Sequence, residues 1–306
     1  HTRCSRDWSS DVCSSDLAAC YSNATTVAAG CALAQHYSYN KASWTAGLDY
    51  KLNDATFLYA KVSTGYKSGG INKYGYDALS SAPFSPEKIT EYQVGLKGDV
   101  GPVTYSAAAF YNRTKNLQIS VYYPVPYATN VIRNAAESEA WGGELSLSAN
   151  VTNRLNVRAN ALFVEPNFIK YVNPRTGADV SDSNFNMVIR KQFDVAVNYD
   201  AGFAKLNANY VWTGTYANTA QSLAYLTTTY GATLGTAAYN AAQVPTHGNL
   251  NLRVDIPVTK NIEVSAWGRN VTNSRYYKFV LMSERSWVAG SMNDPVTYGV
   301  SVRAKF

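Results

Sequence analysis

Residues that favour tight turns recur along this chain of 306 residues at intervals of about 50. They stand at Leu52-Asn53-Asp54, Gly98 to Pro102, Asn150 to Asn153, Asp200-Ala201-Gly202 and Pro257 to Lys260. Each turn joins two stretches in which apolar and polar residues alternate with a period of two, the side-chain period of a β-strand. Between one hairpin and the next the connection is long and rich in Tyr, Ser, Thr and Pro. Short and long connections in strict alternation place every tight turn at one end of an antiparallel sheet and every long loop at the other. Transmembrane barrels of the outer-membrane type are built this way, with short periplasmic turns and long extracellular loops.

The faces of these strands sharpen the expectation. One face carries Ala46, Leu48 and Tyr50, then Leu58, Ala60 and Val62, then Tyr92, Val94 and Leu96, and so on to Tyr298, Val300, Val302, Ala304 and Phe306 at the C-terminus. The opposite face carries Arg158, Asp194, Lys205, Arg253, Asp255, Glu263, Arg303 and Lys305. A cation on a lipid-facing position near mid-membrane costs roughly 2–4 kcal/mol, so lipid enforces this segregation more strictly than water does. A soluble sandwich produces the same alternation with the apolar face packed inward. The abundance of Tyr and Ala on the apolar face favours the barrel, because aromatic girdles need Tyr at the strand ends. The fold expected is all-β, an antiparallel up-and-down transmembrane barrel with about eleven strands present.

Composition removes other classes. No apolar run reaches the roughly 18 residues that a transmembrane helix needs. The net charge of +6 comes from Lys and Arg scattered singly, which gives no nucleic-acid footprint. The stretch Tyr66-Lys67-Ser68-Gly69-Gly70 lacks the spacing of a phosphate loop, and its glycines suit a strand end bending into a loop. His36 falls in a Tyr-rich loop and His247 at a strand start, and both read as solvated. Neither accompanies a nucleophile and carboxylate, and no Cys/His cluster has metal spacing. No catalytic residue, metal or cofactor is expected.

The first residues stand apart. His1 to Leu17 has no hydrophobic period and resembles translated adapter sequence, so residues 1–17 are expected to be a non-native leader. Cys20 and Cys31 are close enough to bridge within one loop in an oxidising compartment, and two free thiols are the other reading.

The long loops hold Tyr74, Tyr76, Tyr122, Tyr123, Tyr127, Tyr225, Tyr230, Tyr277 and Trp287, with Arg133, Arg175, Arg275 and Arg285 nearby. These residues make either a ligand mouth, in which rings stack on a planar or glycosidic ligand and Arg holds anionic groups, or an aromatic belt with ordinary loop packing.

Several stretches, in order, resemble TonB-dependent outer-membrane receptors. They are Leu58 to Asn72, Phe84-Ser85-Pro86-Glu87 with Tyr92 to Lys97, Ala109 to Asn112 with Leu117-Gln118, and Arg133-Asn134-Ala135 leading to Gly143-Glu144-Leu145. Trp267 to Asn273 with Tyr276-Tyr277, and the closing Tyr298 to Phe306, complete the series. The resemblance runs from about residue 41 to the end. It implies a barrel of 22 strands plugged by an N-terminal domain, and uptake of a scarce nutrient, most often a ferric siderophore, with energy supplied through TonB. It also implies outer-membrane lipid as surroundings, and recognition of Tyr298 and Phe306 by the barrel-assembly machinery. With no plug or TonB-engaging segment recognisable, the expectation is that residues 41–306 are the C-terminal part of such a barrel, preceded by an extracellular loop segment at 18–40. A passive porin or adhesin barrel is the alternative, and a soluble carbohydrate-binding module is a third reading.

Overall fold

The computed structural model describes residues 39–72, 82–123, 129–282 and 288–305. Five hairpins and a final strand build one continuous antiparallel sheet. The first three hairpins are β1 (Thr45–Asn53) with β2 (Thr56–Lys67), β3 (Glu87–Val100) with β4 (Val103–Tyr123), and β5 (Thr129–Thr152) with β6 (Leu155–Tyr171). Next comes β7 (Lys191–Asp200) with β8 (Lys205–Thr213). A connection then holds β9 (Tyr216–Ala217), two helices, α1 (Leu223–Tyr230) and α2 (Ala232–Ala241), and β10 (Gln243–Val244). The chain continues through β11 (His247–Pro257), β12 (Ile262–Arg269), the small hairpin β13 (Tyr277–Met282) and β14 (Val288–Met292), and β15 (Thr297–Ala304). The large sheet has 11 strands in the order β1 to β8, then β11, β12 and β15, with every neighbouring pair antiparallel.

All five tight turns fall where turn residues predict them, and side chains fix four of them locally. Asn53 Oδ1 accepts from the Ala55 amide at 2.9 Å, and Thr152 Oγ1 from the Arg154 amide at 3.1 Å. Asp200 Oδ1 accepts from the Gly202 amide at 2.8 Å, where Gly202 takes the left-handed conformation at φ 86°. Thr259 Oγ1 holds the amides of Asn261 and Ile262.

Register turns the alternating faces into rows that cross the whole sheet. One row runs Tyr50, Leu58, Leu96, Ala107, Leu145, Ala161, Phe193, Trp212. Another runs Tyr199, Leu206, Val254, Ala266, Val300. A one-residue slip anywhere would throw charged residues onto this face. Its side chains are exposed: Leu48 is 81% accessible, Val300 72% and Val302 69%. A sandwich would bury these residues against a second sheet, but the other sheets among the described residues are two-stranded ladders in the loops. The apolar face therefore meets lipid. Covering each such Leu or Val with hydrocarbon gains about 1.5–3 kcal/mol relative to water.

The largest fully buried side chains, Leu226, Val131 and Val244, lie at the loop end of the sheet rather than in its rows. Two connections read from sequence as plain loops prove to be structured. The Thr-, Ala- and Tyr-rich stretch before His247 folds into α1 and α2, and the stretch from Tyr277 to Asp294 forms the β13/β14 hairpin. β4, with 21 residues, and β5, with 24, are the longest strands, and they pair from Val103 with Ala149 to Tyr123 with Thr129.

Candidate functional site

Two surfaces face away from lipid: the inner wall of the sheet and the roof of loops. The inner wall is a hydrogen-bonded polar ladder. Ser146 Oγ donates to Asn160 Oδ1 at 2.8 Å, Asn160 Nδ2 to Asp194 Oδ1 at 2.7 Å, and Asn209 Nδ2 to Asp194 Oδ2 at 3.2 Å. Farther along, Asp255 accepts from Arg253 Nε at 2.7 Å, Ser265 Oγ at 2.6 Å and Asn207 Nδ2 at 3.2 Å. Arg253 also reaches Ser265 Oγ, and Trp267 Nε1 reaches Ser301 Oγ. Each carboxylate is met by two or more donors, so the charges belong to a satisfied network rather than to an open site.

The roof consists of three groups. In the first, the loop after β2 is sewn to the extension of β4 and β5 by side-chain amides that imitate a strand. Asn72 exchanges two hydrogen bonds with the backbone of Ile132, at 2.8 and 3.0 Å, and Asn134 does the same with Ser85 at 2.6 and 2.8 Å. Gln118 Nε2 donates to the carbonyls of Ser68 and Ser85. Arg133 Nη1 donates to the Ala82 carbonyl at 3.2 Å, while its buried Nε and Nη2 have no hydrogen-bond partner among the described residues. A buried guanidinium with unused donors is costly unless an acceptor arrives.

The second group joins the loop after β6 to the helix pair. Phe168 stacks on Phe185 at 4.1 Å and approaches Tyr171 at 5.0 Å. The amides of Asn184 and Met187 donate to the carbonyls of Ala220 and Ala217. Burial pushes the Tyr171 phenol above its ordinary range, and the neighbouring Tyr225 adds to the effect. In the third group, His247 stacks on Tyr276 at 3.7 Å and meets Tyr216 edge-on at 6.4 Å, with its Nδ1 2.8 Å from the Pro245 carbonyl. Burial, with Tyr276 close by, also raises the Tyr216 phenol. Asn218 Nδ2 donates to the Tyr277 carbonyl, tying the helix connection to β13. Asn270 and Asn293 pin the same region through Ser274 and Asp294.

The expected loop residues are thus distributed rather than gathered in one pocket. Arg133 is in the first group, Tyr225 in the second, and Tyr277, 48% exposed, beside the third. Arg175 stands in a turn held by Asn173 Oδ1, with Gly177 at φ 71°, and Tyr230 ends α1. Arg275 Nη2 lies 3.7 Å from Met292 Sδ. Tyr122 and Tyr123 end β4. Tyr74, Tyr76, Tyr127, Arg285, Trp287, Phe306, Cys20 and Cys31 lie outside the described residues, as do residues 1–38. Tyr298 is on the lipid face at the start of β15. His247 corrects the sequence reading: it is half-buried between two rings rather than solvated. Asn72, Gln118, Asn134 and Asn218 were missed as loop clamps. The signal for the first three was their place in the stretches that resemble the receptor family, and for Asn218 only its position in a long connection.

Comparison with known proteins places this arrangement. Residues 7–271 match the family model described as TonB dependent receptor-like, beta-barrel. The pesticin receptor of Yersinia pestis is 35% identical over 96 residues, which are 31% of this chain and 14% of that protein. The ferric yersiniabactin uptake receptor of Yersinia pestis superposes with a TM-score of 0.68 at 22% identity, covering 86% of this chain and 37% of that one. The ferric-catecholate import receptor of Escherichia coli K12 gives 0.62 at 15% identity, over 86% and 35%. The chain therefore spans well under half the length of these relatives.

Proposed function

The chain belongs to the TonB-dependent receptor-like β-barrel family of the outer membrane, and on that premise we propose that it forms part of the wall and mouth of a receptor that takes up a ferric siderophore. In this reading the loop roof captures the ligand, the polar inner wall seats a plug domain, and rearrangement of that plug is driven through TonB. The sheet of 11 strands then makes one sector of a larger barrel. The role is transport without catalysis.

The observation that carries the reading is the Arg133 guanidinium, held in the roof by one carbonyl with two buried donors left over. Ferric siderophore complexes present carboxylate or phenolate oxygens, and a guanidinium offers paired donors to such groups. Tyr277 and the rings around Tyr225 supply stacking surface near the same rim. Ferric yersiniabactin, the cargo in a structural neighbour's name, is the first ligand to try.

The test is uptake of radiolabelled ferric yersiniabactin by cells whose sole receptor contains this barrel. Uptake should vanish in a tonB deletion strain, and Arg133→Gln should weaken binding by about tenfold or more, the worth of a charged hydrogen bond. Uptake that persists without TonB would favour the passive porin reading instead.

A further inference from the structure

On the lipid face of β3 and β4 the residue type changes in three steps toward the loop end. A row of Val62, Tyr92, Tyr111 and Trp141 closes the apolar belt, with the Tyr92 and Tyr111 rings 6.4 Å apart. The next row is Thr64, Thr90, Arg113 and Glu139, and the one beyond it is Tyr66, Lys88 and Lys115. Lys88 and Lys115 are direct cross-strand partners, which places their Cβ atoms about 4.5–5.5 Å apart, an arrangement that is unfavourable for like charges.

No acidic partner relieves this pair among the described residues. Arg113 is committed to Glu137 at 2.7 Å, Glu139 accepts from the Tyr111 hydroxyl at 2.8 Å, and Glu87, on the inner face, accepts from the Gln118 amide. Both lysines are exposed and make no ion pair with a described residue. Height says what surrounds them. From Val103 to Lys115 the strand climbs about 40 Å, or about 30 Å along the membrane normal at the usual tilt near 40°, which is just above an apolar band about 25 Å tall. At that level lie the head groups of the outer leaflet.

We propose that Lys88 and Lys115 form a site on the outer surface of the barrel for the phosphate groups of an anionic outer-leaflet glycolipid, whose acyl chains lie down the apolar belt over Tyr92 and Val94. A phosphate between the two ammonium groups converts a repulsive pair into two charge-assisted contacts, and Tyr66 flanks the site with a ring suited to the interface. The site is separate from the mouth and does not depend on which nutrient is carried.

The test uses a complete receptor that contains this barrel sector, purified from outer membranes in non-ionic detergent and exchanged into phosphatidylcholine nanodiscs containing lipid A. Native mass spectrometry then counts the lipid A retained per protein. Wild type should retain bis-phosphorylated lipid A, and Lys88→Gln/Lys115→Gln should retain about 10- to 30-fold less, as expected for two lysines at a charged surface. The Lys88→Arg/Lys115→Arg variant should retain it, and so should Lys97→Gln, whose lysine lies over the Tyr59 ring on the inner face. Equal retention in the Gln double variant would overturn the proposal, as would equal retention of dephosphorylated lipid A. Displacement by millimolar inorganic phosphate would assign the pair to free anions instead of lipid.

Discussion

Trp267 lies flat across Gly299, its partner on the neighbouring strand, with Cη2 only 2.9 Å from where a Cβ would stand. Tyr59 covers Gly95 in the same way. An indole or phenol over a glycine fills the gap left by a missing side chain and packs the ring against backbone. Gly299→Ala should therefore destabilise the sheet by about 1–3 kcal/mol through overpacking, and the cost should disappear in a Trp267→Ala background. Urea unfolding of the four members of that cycle checks both statements. Such pairs could not be read from sequence, because they depend on which residue of a distant strand comes opposite. The same reason hid the fit of His247 between Tyr216 and Tyr276, which come from separate connections. What was legible at this scale was parity: Arg253 and Asp255 were assigned away from lipid, and they lie in the inner ladder.

The helix pair shows how an element can be stable without declaring itself. α1 has 8 residues and α2 has 10, too short to persist alone in water. They carry no acidic first turn and no basic last turn, and Thr among the Ala weakens the propensity. The local signals were Ser222, whose Oγ caps α1 by accepting from the Tyr225 amide at 3.1 Å, and Gly231, which turns between the helices at φ 83°. Packing supplies the rest: Leu226 is 1% exposed, and Val244 beside α2 is equally buried. Leu226→Ala should cost about 2–5 kcal/mol and release this connection while leaving the strands intact. Hydrogen exchange should then rise at residues 223–241 and stay unchanged in β11 and β12. The strands were readable because alternation and turn chemistry agree within each hairpin, whereas the helices depend on contacts made across the roof.

For the molecule as a whole, the sheet ends at β1 on one side and β15 on the other, and the two do not pair. Each outer edge presents a row of backbone groups that hydrocarbon cannot satisfy. This chain by itself should therefore fail to show the gel shift between unboiled and boiled samples that marks a closed barrel. A clear shift would mean that the edges have found partners. The unequal strand lengths have a further consequence. β4, β5 and β6 run to 21, 24 and 17 residues, while β7 and β8 stop at 10 and 9. At about 3.4 Å per residue, the rim stands several turns of chain higher over β4 and β5 than beside them. The ends of β7 and β8 carry instead the loop after β6 and the helix pair, tied together by the amides of Asn184 and Met187, so the rim passes from a stiff strand ladder to a packed roof of loops, and the stiff part is the one that carries Arg133.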